Sequence, residues 1–454
     1  MTTLRTHTLA LALSGLIGSL ALTACELEVP DLNNPALDQL ENNPTAASIS
    51  AACTGLLIGN RVNLAPQNGY VGQLGILGRE AYSFDSADPR YTSELLQGSL
   101  SRSSPFGGAF WGAPYANIRL ANIILKGVDK VADFTGEEKS AIQGFAHTMQ
   151  ALAFLQIINA HDTNGAVIDT DRPLGAELAP IAEKPEVQAE IARLLDVGAT
   201  ELGAGGDEFP FPLEVGFSGF DAPPSFLTFN RAIRARVAAY TEDYAGVLTA
   251  LTDSFIDDEG EIDFRAGVYH SYSTKSGDIT NGLQNVNLFA HPSLLAEVQK
   301  NGTENDARYT AKLKTVPARG AAPTVSTLQF TMYAATTPVP IIRNEELILL
   351  KAEALFFTGM VGPAMTELNL VREGSGELTA LLGEPSRETF IDYLLYERKY
   401  SLMFEGGHRW LDLRRFGREI PLDTADHSRN VRYPIPLAEC DARPGEAKCI
   451  LGST

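Results

Sequence analysis

Residues 396–417, YERKYSLMFEGGHRWLDLRRFG, decide how this chain is read. Two carboxylates (Glu397 and Glu405), His408 and the arginines 398, 409, 414 and 415 crowd into it. Such a set can be the acid, base and anion clamp of an enzyme, or the charged joinery of a helix end. Upstream, Phe390, Ile391, Leu394, Leu395, Leu402 and Met403 recur at helical spacing. The helix they imply starts near Ser386, carries Glu388 in its first turn and stops at Gly406–Gly407. Adjacent residues such as 397 and 398 point about 100° apart on a helix, so they do not converge by default. Ion pairs that tie the helix end to the next segment, with Trp410, Leu411, Leu413 and Phe416 packed beneath, explain the stretch with fewer assumptions. Glu397 and Glu405 are the pair that tempts a hydrolase assignment, which needs two carboxylates about 5 or 6.5–9.5 Å apart across a cleft.

Working outward, other helices appear in separated blocks. Thr135-Gly136-Glu137-Glu138 is a capping box, in which Thr135 and Glu138 satisfy free helix-end amides. Ile142, Phe145, Met149, Leu152 and Leu155 then form one apolar stripe, while Gly144, Ala146, Ala151 and Ala153 leave room for a second helix to approach. Residues 115–125, ending at Lys126-Gly127, read as its antiparallel partner. Blocks 229–251 and 345–372 repeat the pattern of helix, short turn and helix, the grammar of tetratricopeptide repeats. The copies are divergent and not in tandem. Between them lie Gly/Pro/aromatic stretches, 60–114, 160–226 and 255–344, read as loops long enough to be functional. The expectation is a mainly α protein: tetratricopeptide-like helix pairs as scaffold, loop-rich binding segments, and a small hairpin or two.

The N-terminus speaks to location. Arg5 precedes an apolar run from Leu9 to Leu22, too short and too rich in small residues for a membrane span. Leu22-Thr23-Ala24-Cys25 resembles a bacterial lipobox, whose cysteine is lipidated; the alternative is an ordinary signal peptide cut near Cys25. The expected organisation is a leader over 1–24, a lipidated tether over 25–40 and one domain over 41–454. Glu26, Glu28 and Asp31 resemble surface-export signals. Cys440 and Cys449 flank a Pro-Gly loop that brings them into disulfide range, leaving Cys53 free and buried. The net charge of −20 opposes nucleic acid and anionic lipid as partners by charge alone.

Several motifs then fall into one order. ERKYSLMFEGGHRWLDLRR resembles the C-terminal signature of SusD/RagB-like outer-membrane nutrient-binding lipoproteins, E-R, then F-E-G, then R-W-x-D-L-R-R. Trp111, Tyr115, Ile118, Arg119, Ala121 and Asn122 are similar to that family's W…Y…IR.AN block. Glu345-Glu346-Leu347 with Lys351–Ala354, Leu368–Arg372, Asp306-Ala307-Arg308 and Tyr433–Pro436 resemble further family motifs, so the likeness runs from Cys25 to about Glu439. Gly406-Gly407 doubles a commonly single glycine, and Ala307 replaces the usual proline. The resemblance implies a non-enzymatic, lipid-anchored protein at the cell surface. It would sit on a SusC-like TonB-dependent outer-membrane transporter and capture oligosaccharides or other oligomeric nutrients, with no cofactor. A surface glycoside hydrolase and a tetratricopeptide-type assembly scaffold are the alternatives.

No motif carries ligand contacts over, so candidates come from composition. Stacking on sugars needs ring faces, and hydroxyl pairs need planar polar groups. The segment 78–111 supplies Arg79, Tyr82, Asp88, Arg90, Tyr91 and Phe106, and later segments supply Tyr269, Tyr272, Phe330 and Tyr333. Arg79 and Arg90 suit a carboxylate. The acidic run Asp253–Asp263 fails as a calcium loop, because placing Gly260 sixth puts Phe255 where a carboxylate must stand. The histidines show no H-E-x-x-H spacing, and neither a G-x-S-x-G nor a P-loop occurs.

Overall fold

The computed structural model describes residues 37–173 and 175–450. The leader, Cys25 and most of the expected tether lie outside the described residues. Eleven helices build the body: α1 (Ala46–Arg61), α2 (Tyr70–Leu77), α3 (Pro105–Val128), α4 (Gly136–His161), α5 (Lys184–Gly203), α6 (Pro223–Tyr240), α7 (Tyr244–Thr252), α8 (Asn344–Phe357), α9 (Val361–Gly374), α10 (Arg387–Ser401) and α11 (His408–Arg415). α1 packs on α3, and from α3 to α9 each helix packs on the next in this series, while α10 lies against α8 and α9. The protein is mainly α, and α3/α4, α6/α7 and α8/α9 are the helix pairs expected from the sequence.

The capping box forms: Thr135 Oγ1 accepts from the Glu138 N–H, and Glu138 accepts from the Thr135 N–H. The partner that Gly144 admits is α5. A Cβ on Gly144 would stand 2.6 Å from Leu202 and 2.8 Å from the Gly198 carbonyl oxygen, so both glycines are set by that crossing. This helix lies inside 160–226, where the composition points to loop. Its signals were there, in Pro185 at its start and in buried Val187, Ile191, Leu194, Leu195 and Leu202 at spacings of a helix face. The Pro and Gly residues on both sides masked them.

The stretch 255–344 also holds more strand than a hairpin or two. Besides a two-residue pair at Lys300–Asn301 and Glu304–Asn305, it contributes β2 (Gly267–His270), β3 (Leu288–Ala290), β4 (Leu313–Ala321), β5 (Thr324–Phe330) and β6 (Val339–Arg343), which are joined by β1 (Ala81–Ser83) from the first loop. They form a four-stranded antiparallel sheet of order β1-β3-β5-β4 and a separate β2–β6 pair. The β2–β6 register shifts between Val268 and Tyr269. Val268 and His270 point into the core and Tyr269 stays half-buried on the other face.

α10 ends at Ser401, earlier than the Gly406–Gly407 break expected for it. Leu402, Met403 and Phe404 turn inward as core residues, and Phe404 takes the left-handed region (φ 57°) that closes the turn. The C-terminal segment then runs back to the first half of the chain. Tyr433 donates its N–H to the Ala160 carbonyl (2.9 Å) and its hydroxyl to Gln73 (2.8 Å). Its ring meets Phe110 edge-on and lies over Gly107, where φ is 84° and any side chain would collide with it. Cys440 and Cys449 are joined by a disulfide, and Cys53 is a free, buried thiol. No described helix is long and apolar enough to cross a membrane.

Candidate ligand-binding groove

Apart from Arg409, the charged residues of 396–417 do not open onto a cleft as free groups. Glu397, fully buried, lies between Arg308 (2.7 Å) and Arg372 (2.8 Å). Arg398 pairs with Asp412 at 2.6 Å, and Glu405 with Arg343 at 2.9 Å and Lys312 at 3.3 Å. Arg414 donates to the Asn159 and Val431 carbonyls, and Arg415 pairs with Glu353 and Asp412. Burial pushes the His408 imidazole down to about 4, so it is neutral at pH 7. Trp410 is buried, its indole N–H donating to the Asn430 carbonyl. Each carboxylate of the tempting pair is thus held by two cations. The stretch ties α10 and α11 to α8, α9 and the chain before β4.

The first-loop candidates are also inside. Arg79, Tyr82, Tyr91 and Phe106 are 1, 2, 4 and 4 % exposed, which corrects the expectation that this segment presents open rings. The reason is the returning C-terminal segment and β3. Asp423 faces Arg79 (3.7 Å), His291 (2.9 Å) and His427 (3.1 Å), and Tyr82 packs on His291 at 4.7 Å between ring centres. Burial raises the Asp423 carboxyl, but the bonds from His291 and Tyr82 and the Arg79 charge outweigh it and hold it at about 2. The Arg79 guanidinium is spent on the Ile76, Leu77 and Ser428 carbonyls. Nearer the surface, Arg90 grips Asp88 with two bonds of 2.8 Å and lies over Phe106, whose other neighbour is Tyr91. So the structure brings Arg79 with Tyr82, and Asp88 with Arg90, Tyr91 and Phe106. Neither set joins Tyr272 and Tyr333.

Those two tyrosines line a groove beside the β2–β6 pair. Two adjoining cavities, of about 470 and 460 Å3, share Arg265, Tyr269 and Pro338 in their walls and together form the groove. At one end Tyr333 stands above Lys312, Arg343 and Glu405; at the other are Phe220, Ser271 and Tyr272. Tyr269, on the face of β2 opposite Val268 and His270, forms the wall common to both ends. Phe220 and Tyr269 are half-buried, so each offers part of a ring face. Tyr333 donates to the Phe404 carbonyl (2.9 Å), which fixes its ring. The Tyr272 hydroxyl is buried and has no hydrogen-bond partner among the described residues. Burial pushes the Tyr269 phenol up to about 12 and raises Tyr272 as well, so both are neutral at pH 7; the Tyr269 hydroxyl donates to the Arg265 carbonyl, which leaves Tyr272 as the free donor. At the floor, burial raises the Glu345 carboxyl but Arg343 and Lys312 outweigh it and hold it at about 2. Phe220 and Arg265 were missed in the sequence. Phe220 lies in 160–226, whose composition reads as a loop long enough to be functional, and nothing local singles out its ring.

Among the described residues no group of three or more His, Cys, Asp or Glu is arranged to hold a metal ion. The acidic run is tied down as structure, with Asp258 paired to Lys351 and the Asp257 N–H donated to Asn344.

Helices packed in sequence behind a small sheet, with a polar, ring-lined groove at their edge, define the architecture. Residues 264–445 match the model of the SusD family. A SusD superfamily protein from Bacteroides vulgatus superposes with a TM-score of 0.66 at 15 % identity, covering 88 % of this chain and 97 % of that one. A SusD-like carbohydrate binding protein from Bacteroides fragilis gives 0.65 at 15 % identity, covering 84 % and 87 %. Surface glycan-binding protein A from Bacteroides thetaiotaomicron, solved in complex with laminarihexaose, gives 0.66 at 16 % identity, covering 89 % and 99 %. No curated protein matches the chain by sequence. Residues 264–445 match the SusD family model, and over most of its length the chain has the fold of the SusD superfamily structures. The resemblance read from 396–417 and the mainly α fold both hold.

Proposed function

We propose that this protein is a cell-surface, outer-membrane lipoprotein that binds oligomeric nutrients, above all glycans, and delivers them to a SusC-like TonB-dependent transporter. Cys25 carries the acyl anchor, residues 25–40 the tether, and 41–454 the binding domain. The observation that carries the reading is the Tyr272 hydroxyl, buried without a partner in a groove walled by the Phe220 and Tyr269 rings. Such a hydroxyl costs about 1–3 kcal/mol, which a sugar hydroxyl entering the groove recovers. Rings and neutral phenols together suit the apolar face and hydroxyl edge of a pyranose. The match to a fold seen elsewhere holding laminarihexaose supports the same reading. Ligand contacts therefore centre on Tyr272 and Tyr333 with Tyr269, Phe220 and Arg265, while Arg79, Tyr82, Tyr91 and Phe106 back the scaffold and Asp88 and Arg90 edge it.

The test is retardation of the protein in native gels containing a panel of polysaccharides, followed by calorimetry with oligosaccharides of any that bind. Tyr269→Ala and Phe220→Ala should weaken the interaction in a protein of unchanged melting temperature. Release of reducing ends from the same panel would instead favour a hydrolase.

A further inference from the structure

A second cavity, of about 370 Å3, lies between α10, α11 and the segment around Glu297, and shares no lining residue with the groove. Its polar wall is unbalanced. Lys399 and Arg409, with side chains only 6 and 9 % exposed, both turn to one carboxylate, Glu297, whose own side chain is 50 % exposed. Lys399 takes that carboxylate at 2.6 Å and leaves Arg409 at 4.0 Å from it. Arg409 makes no hydrogen bond among the described residues, and its buried Nε has no partner. Burial, with the adjacent Arg409 charge, pushes the Lys399 ammonium down to about 7. Burial also pushes the carboxyl of Glu80, which feels the Arg409 charge, up to about 7, so it compensates only in part. Asp412, at the cavity's edge, already serves Arg398 and Arg415. A chain of net charge −20 has thus kept a buried, half-matched guanidinium facing open space.

We propose that this cavity is a second binding site, taking the carboxylate of a sugar-acid unit in an oligosaccharide between Arg409 and Lys399. The half-buried rings of Tyr393 and Tyr396 line the same space and offer the sugar an apolar face, while Gln299 and exposed Asp392 meet its hydroxyls. The volume suits one or two pyranose rings. A peptide carboxylate fits less well, because the α10 and α11 walls have their main-chain groups committed within helices and give a peptide backbone nothing to pair with. The sugar part of the inference rests on the glycan reading; the carboxylate part does not. Glu297, half-exposed, occupies the position of the ligand's own acid and swings aside on binding.

Calorimetry at low salt with galacturonate, glucuronate and guluronate oligomers, their methyl esters and sodium sulfate tests this. At least one acid oligomer should bind, with its ester about tenfold weaker or more, the worth of a charge-assisted contact. Glu297→Gln, which removes the competing carboxylate, should tighten the acid about threefold or more, and Arg409→Gln should weaken it about tenfold in a protein that still unfolds cooperatively. Tyr269→Ala should leave this binding unchanged, which separates it from failure or success of the groove. Acid and ester binding alike, sulfate binding as tightly as the oligomer, or no acid bound by either wild type or Glu297→Gln would overturn it.

Discussion

Replacing Glu397 by Gln separates a fold signature from an active site more sharply than any other change. The side chain keeps its shape and loses only its charge. It is fully buried and receives Arg308 and Arg372 at 2.7 and 2.8 Å, so the variant leaves two guanidiniums facing a neutral amide in a place water does not reach. Asp306 still serves Arg308, at 2.6 Å, whereas Arg372 keeps only the Thr379 carbonyl and Gln299. Breaking a buried pair from one side costs about 3–5 kcal/mol, and the surviving Asp306 contact places this variant at the lower end, about 3 kcal/mol. Urea unfolding followed by circular dichroism reads that loss as a lower midpoint at unchanged slope. Polysaccharide binding by the folded fraction should be untouched. An unchanged midpoint together with lost binding, or with loss of any release of reducing ends, would refute the structural role argued for residues 396–417.

The buried rings of the first loop behave oppositely to the groove: Tyr82→Ala and Tyr91→Ala should each lower stability by about 3–5 kcal/mol, seen in the same urea titrations, while ligand affinity per folded molecule stays constant. Tyr269→Ala should weaken glycan binding by about 1–2 kcal/mol, roughly tenfold by calorimetry, at unchanged melting temperature. Burial pushes His161, His270 and His408 down to about 4, 3 and 4. In the unfolded chain they take up protons near pH 6.5, so this stability is complete above that pH and declines as pH falls toward 4. The loss between pH 7 and 5 should be about 2 kcal/mol per histidine, and a urea midpoint equal at the two pH values would contradict it. Cys25→Ser should remove the protein from outer-membrane fractions and abolish incorporation of labelled palmitate.

What the sequence made legible was whatever repeats locally or sits in an ordered motif. The Thr135 box, the stripe through Ile142 and Phe145, and the spacing of the C-terminal signature rest on short-range physics, and they survive in α3, α4 and α8 to α11. α5 carried the same signals but stood among Pro and Gly, and composition outweighed period in the reading of 160–226. The site was legible only in kind. Tyr82 and Tyr272 look alike in sequence and both are largely buried; which one borders a cavity depends on Asp423 and on a sheet whose partners come from residues far apart in the chain. Phe220 becomes a groove residue only because the fold brings the segment before α6 beside β2. Helical period cannot report such long-range meetings.

Tyr433 has a consequence in time. A chain that emerges N-terminus first has α2, α3 and α4 available long before this residue appears, yet Phe110, Gln73 and the Ala160 carbonyl all wait for it. Until it arrives, the seat above Gly107 stands open to water and the first helices lack a wall. Closing so long a loop is slow, because its entropy must be met before the contact rewards it. The early helices therefore become solid only when translation is nearly finished. A protease nick between Gly417 and Tyr433 would loosen helices made at the opposite end of the chain.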